Sequence, residues 1–161
     1  MSNLSPFTIA AARMPADIGI LRSLFIEYIG SLGVDLAFQD VDAELADLPG
    51  TYAAPAGIIL IARDCLGEHV GCCALRPLPE PGACEMKRLY VRPLARGHEL
   101  GRLLAEATIA HARQANYSRL LLDTLASMDA VQRLYALLGF RPTVPYNFNP
   151  LPGTIYLKLD L

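Results

Sequence analysis

The stretch "ACEMKRLYVRPLARGHELGRLLAEA", residues 83–107, decides the fold. Its first nine residues, Ala83 to Val91, read as a strand. Pro93 and Gly97 then break the extended chain, and Leu100, Leu103, Leu104, Ala107 and Ala110 recur at helical spacing. A strand that passes through a glycine turn into a helix needs a second strand to return to. The apolar run "SRLLLDTL", residues 118–125, supplies it, and its lack of alternation suits a strand covered on both faces. A right-handed crossover between the two makes them parallel, and ligands in such sheets sit beyond the carboxyl ends of the strands where neighbours diverge. The glycine turn lies at that end.

The flanks complete the architecture. "FTIAAA" (7–12) reads as a short strand, and Ile18, Leu21, Leu24, Phe25 and Tyr28 mark an amphipathic helix that stops near Gly33. "DVDAELADLPG" (40–50) is a short acidic helix, and "GIILIARDCLGEHVGCCALRPL" (57–78) reads as two strands joined by a turn at Asp64 to Glu68. After the crossover come a helix capped by Ser127 and Gly139 and a closing strand, "TIYLKLDL". The expected fold class is α/β: one domain over residues 1–161, with a mixed central sheet and helices on both faces.

A 161-residue chain fits one core, and 53% hydrophobic with 19% charged residues suits a folded globular protein. The net charge of -2 carries no footprint for nucleic acid, and no apolar run approaches the roughly 20 residues of a membrane span. With no secretion signal at the start, the expected location is the cytoplasm. Cys65, Cys72, Cys73 and Cys84 lack C-x-x-C spacing and read as buried free thiols, with Cys72 and Cys73 on opposite faces of a strand. His98, Glu99 and His111 lack H-E-x-x-H spacing, so no metal is expected.

The turn has the features of an anion site. The first amides of a helix have no intrahelical partner, and the helix dipole places partial positive charge there. Gly97 and Gly101 let a phosphate approach the backbone, and Arg96 adds a fork of donors. "MKRLYVRPLARGHELGRLL" followed by "LYALLGF" (134–140) resembles the GCN5-related N-acetyltransferase (GNAT) family over nearly the whole chain. The resemblance implies a GNAT-like fold with acetyl-CoA as co-substrate. The family pattern Arg/Gln-x-x-Gly-x-Gly/Ala falls on Arg96, Gly97, His98, Glu99, Leu100 and Gly101, which with Arg102 would take the pyrophosphate. Leu89, Tyr90 and Val91 would pair with the pantetheine arm. Two positions depart from the family: Glu99 replaces the inner glycine, and Met128 stands where an asparagine often precedes the later tyrosine. With Arg96, His98 and Arg102 close by in sequence and the helix dipole favouring a carboxylate in the first turn, Glu99 is expected to point outward.

Transfer from a thioester to an amine needs a deprotonated amine and a proton for the departing thiolate. The resemblance implies Tyr135 as general acid and Glu85 as general base, while Lys87, two residues on, offers Glu85 a simple ion-pair partner. The acceptor should lie between "SLGVDLAFQD" (31–40) and "VPYNFNPLPG" (144–153), with Tyr146, Asn147 and Phe148 as its contacts. The expected acceptor is a small or amino-acid-like amine attacking directly in a ternary complex. A peptide acceptor and a non-catalytic acyl-CoA-binding module are the alternatives. The family resemblance also implies a homodimer.

Overall fold

The computed structural model describes residues 5–161. In chain order it contains β1 (Thr8–Ala11), α1 (Ile18–Leu32), α2 (Val41–Ala46), β2 (Ile58–Arg63), β3 (His69–Pro77), β4 (Ala83–Val91), α3 (Leu100–Gln114), β5 (Arg119–Leu125), α4 (Asp129–Leu137), β6 (Arg141–Pro142) and β7 (Thr154–Asp160). The strands form one sheet in the order β1-β2-β3-β4-β5-β7-β6. Every neighbouring pair is antiparallel except β4 and β5. No helix among the described residues is long and apolar enough to cross a membrane.

The apolar pattern packs two layers against this sheet. Leu21, Leu24 and Phe25 of α1 bury against Ile59, Ile61, Cys72 and Ala74 on one face. Leu100, Leu104 and Ile109 of α3 bury against Leu60, Cys73, Leu75 and Met86 on the other. Cys72 and Cys73 thus belong to opposite layers, as strand alternation requires. Burial raises both thiols, that of Cys73 to about 12. Cys65 departs from expectation: it lies exposed in the turn between β2 and β3.

Two helix readings need correction. The buried stripe of α3 is Leu100, Leu104, Ala105, Thr108, Ile109 and Ala112, whereas Ala110 is exposed and Leu103 only partly covered. Thr108 hides this stripe from a polarity pattern because its hydroxyl donates to the Leu104 carbonyl (2.9 Å) inside its own helix. Helix α4 starts at Asp129 behind Met128 with no side-chain cap, so Ser127 does not cap it. The last carbonyl of β5 and that of the turn after it are met by Gln132, whose Nε2 donates to Leu125 and Ala126 (2.8 and 3.1 Å).

The feature that shapes the site is a bulge in β4. Cys72 faces Tyr90 and Ala74 faces Lys87, so Cys73 alone stands against Arg88 and Leu89. Arg88 takes φ +60°, a left-handed backbone rare outside glycine. The inserted residue reverses side-chain parity: Cys84 and Met86 join the α3 layer before it, and Leu89 and Val91 pack against that layer after it. Arg88, itself buried, is held by a partly buried carboxylate. Its Nε and Nη2 donate to Glu44 of α2 (3.0 and 3.1 Å), and the Tyr52 hydroxyl donates to the same carboxylate (2.8 Å).

Burial alone would raise Glu44, but the hydrogen bonds and charge of Arg88, with Tyr52, hold its carboxyl below the ordinary 4.5. A depressed carboxyl contributes stability that is complete above its unfolded value and is lost as pH falls through its folded value. Leaving Arg88 buried without its partner should cost about 3 kcal/mol at pH 7. Glu44→Gln is therefore expected to lower the urea midpoint at pH 7, and the gap from wild type should narrow progressively below pH 4.5.

Candidate active site

The ladder between β4 and β5 pairs only Ala83 with Arg119, Cys84 with Leu120 and Glu85 with Leu121. Beyond Glu85 the two strands part, and the β5-facing edge of β4 from Met86 to Val91 has no strand against it. Two connected hollows occupy the opening. One is a groove between the end of β4, the N-terminus of α3 and α4, lined by Leu89, Tyr90, Val91, Arg96, Gly97, Glu99, Leu100 and Gly101. The other is a cavity lined by Lys87, Asp123, Tyr135 and Asn149, among others. Tyr28, Leu89 and Met128 line both and form the junction.

The groove has the makings of an anion and thioester site. Gly97 takes φ +85°, which turns the chain out of the Pro93–Ala95 3-10 turn toward α3. A Cβ built on Gly101 would lie 3.8 Å from Leu134 and 3.9 Å from Val91, so packing does not demand glycine there. The missing side chain instead keeps the groove open over the first turn of α3. Arg96 folds back, its Nε donating to the Val91 carbonyl (3.1 Å). The His98 ring leaves the groove, lying 6.0 Å from the Phe7 ring and lining a separate hollow, so only its backbone remains at the loop. Tyr90 buries its ring against Tyr28 (5.8 Å) while its backbone borders the groove.

Glu99 adopts φ +58° as N-cap of α3 and makes no side-chain cap bond. Its carboxylate is 68% exposed and meets Arg102 Nη2 at 3.0 Å. The side chain points to solvent, and the left-handed backbone explains why a glycine suits this position.

On the acceptor side the two expected loops do meet. Phe38, from the first, stands edge-to-face with the exposed Phe148 of the second, with ring centroids 6.4 Å apart. Asn147 and Asn149 both donate to Asp123 Oδ2 (3.0 and 3.4 Å). Tyr146 turns inward and donates to Glu85 Oε2 (2.5 Å), which burial and the Glu85 charge reflect in a strongly raised phenol.

Glu85 is not on the cavity wall. It is 1% exposed, and its Oε1 accepts from Arg76 Nε and Nη2, both at 2.8 Å. Arg76 is its register mate on β3, a closer cross-strand neighbour than Lys87 can be along the same strand. Lys87 instead reaches Gln39 Oε1 (3.4 Å) inside the cavity. Tyr135 is buried beside Phe140 (5.4 Å between ring centroids) and lines the cavity; burial raises its phenol well above 10. It therefore remains protonated at neutral pH. Asp123 and Gln39 were not singled out from sequence, and Lys87 was read only as an ion-pair partner for Glu85. The available signal was an aspartate inside the apolar run "RLLLDTL" and a lysine inside a strand.

Comparison with known proteins agrees with this geometry. The acetyltransferase (GNAT) family model matches residues 23–140. An uncharacterised N-acetyltransferase of Schizosaccharomyces pombe is 44% identical over 161 residues, covering all of this chain and 99% of that one. The N-acetylaspartate synthetase of Danio rerio is 30% identical over 135 residues, 83% of this chain but 48% of that protein. A crystal structure from Klebsiella pneumoniae, provisionally described as an acyl-CoA N-acyltransferase, is 32% identical and superposes with a TM-score of 0.73 over 98% of this chain and 99% of its own.

The strain at position 99 has a measurable consequence. Glu99→Gly should be more stable than Glu99→Ala by about 1 kcal/mol, since only glycine relieves the left-handed backbone. Thermal unfolding of the pair checks this.

Proposed function

The chain is an N-acetyltransferase of the GNAT family, and from that premise we propose that it transfers acetyl from acetyl-CoA to a small, amino-acid-like amine within a ternary complex. The observation that carries this reading is the open β4 edge, which joins a groove headed by a helix N-terminus to a separate polar cavity. The amides of α3, Gly97 and Arg102 suit the pyrophosphate, and the edge of β4 at Leu89 to Val91 that faces away from β3 suits the amides of the pantetheine arm. The co-substrate supplies a thioester at the junction of the two hollows.

The free amine attacks the thioester carbonyl carbon. The C–N bond forms, the C–S bond breaks, and the electron pair leaves on sulfur. Tyr135 protonates that sulfur, its raised phenol still carrying the proton at neutral pH. The proton lost from nitrogen passes to Asp123, the carboxylate on the cavity wall, and returns to Tyr135 through solvent. Glu85 lies behind this path, and its role is to hold Tyr146 and hence the 144–153 loop in place.

The cavity is walled by α1, β4, β5 and the loop before β7, and the Phe38–Phe148 contact brings its two bordering loops together. Both features favour a small acceptor over a peptide. The name of the Danio rerio relative points the same way, toward an amino-acid acceptor.

Calorimetry with acetyl-CoA, followed by CoA release against a panel of amines, amino acids and peptides, tests the reading. Absence of acetyl-CoA binding would sink it, and binding without turnover would favour a non-catalytic module. Tyr135→Phe should lower kcat about 100-fold with little change in KM for acetyl-CoA. Gly101→Val should keep its melting temperature while weakening acetyl-CoA binding by about tenfold or more, as its methyl groups enter the groove.

A further inference from the structure

The charges around the cavity do not balance within the protein. Three cations, Arg76, Lys87 and Arg88, come from the adjoining strands β3 and β4. Arg76 is taken up by Glu85 and Arg88 by Glu44. Among the described residues Lys87 makes no ion pair, and its one hydrogen bond goes to a neutral amide at 3.4 Å. An ammonium so covered ordinarily has a carboxylate beside it.

Asp123 lines the same cavity and shows a complementary gap. Both amides that reach it, from Asn147 and Asn149, donate to Oδ2, which leaves Oδ1 without a donor among the described residues. Lys87 and Asp123 do not satisfy each other, since neither takes part in an ion pair among the described residues. The cavity therefore presents one cation and one anionic oxygen, each open to a molecule placed between them.

We propose that the acceptor is an amino acid, or another small amine bearing a carboxylate, bound with its carboxylate on Lys87 and its amino nitrogen on Asp123 Oδ1. This rests on the reading of the cavity as the acceptor site and adds the class of molecule that fills it. Burial draws the Lys87 ammonium below its ordinary value, with Arg88 and Arg76 adding to the effect and Glu85 and Asp123 opposing it. An arriving carboxylate restores the partner that burial has withheld. A plain amine would occupy Asp123 and leave Lys87 uncompensated, which discriminates against it by the same desolvation that makes an unmet polar group costly. Lys87 is thus a specificity residue and Asp123 the contact that orients the nitrogen.

The test compares phenylalanine and methionine with the amines obtained by removing their α-carboxylate, and aspartate and glutamate with the amines that lack both carboxylates, using CoA release to obtain kcat/KM. Wild type should favour at least one amino acid over its paired amine by about 10- to 100-fold, the range of one charge-assisted contact. Lys87→Met should collapse that ratio toward unity, and Lys87→Arg should restore part of it. Acetyl-CoA affinity, measured by calorimetry, should stay at the wild-type level in both variants, which shows that the groove is folded. Equal or better use of the paired amines by wild type, or an unchanged ratio in Lys87→Met, overturns the inference and leaves acetyl transfer standing. Acetyl-CoA binding with no turnover of any acceptor overturns both.

Discussion

A single extra residue in β4 is the constraint on which the site depends. Without the bulge at Arg88, strand alternation would send Tyr90 into the α3 layer and turn Leu89 and Val91 away from the groove they line. The bulge also coincides with the parting of β4 from β5, which leaves main-chain groups exposed where a ligand can pair with them. Its left-handed backbone is costly for arginine, and the Glu44–Tyr52 network holds it in place from α2. A short acidic helix with little packing of its own thereby fixes the geometry of a strand far away in sequence.

Buried ion pairs of this kind seldom add much net stability, because desolvation offsets their attraction. Their value here is positional. Arg88–Glu44 pins the bulge, Arg76–Glu85–Tyr146 pins the acceptor loop, and Arg92 ties the end of β4 to Glu27 of α1 at 2.6 Å. All three anchors converge on the strand that carries the cleft. Satisfying these arginines locally is also what leaves Lys87 distinct among its neighbours.

The order of strands and helices was legible because periodicity and turn residues are local signals. Gly33 at φ +66° ends α1, and the Asp64–Glu68 turn joins β2 to β3, as the residues themselves suggest. The loop at Arg96–Gly101 was equally readable, since glycines and a helix start lie within a few residues. Cross-strand facts were not. That Glu85 meets Arg76 and not Lys87 follows from the β3–β4 register, which no single segment encodes. The bulge that shifts the register beyond Lys87 carries arginine where glycine would have announced it. Ser127 had the chemistry of a cap but stands one residue too early, and Thr108 counted as polar although its own helix satisfies it. Asp123 was hidden for the opposite reason: amid the leucines of β5 it looked like an interruption, and only the folding of the 144–153 loop over it shows that it borders a cavity.

The two halves of the cleft are assembled differently along the chain. Most of the groove comes from one uninterrupted stretch, residues 89–101, whereas the acceptor cavity draws on α1 and the turn after it, β4, β5 and the loop before β7. The contact between Phe38 and Phe148 joins two of these surface segments without touching the glycine turn. Changes in loop length or composition there would reshape the cavity while leaving the groove as it is. The architecture separates a hollow built locally in the chain from one assembled by distant segments, so the second can be altered without rebuilding the sheet.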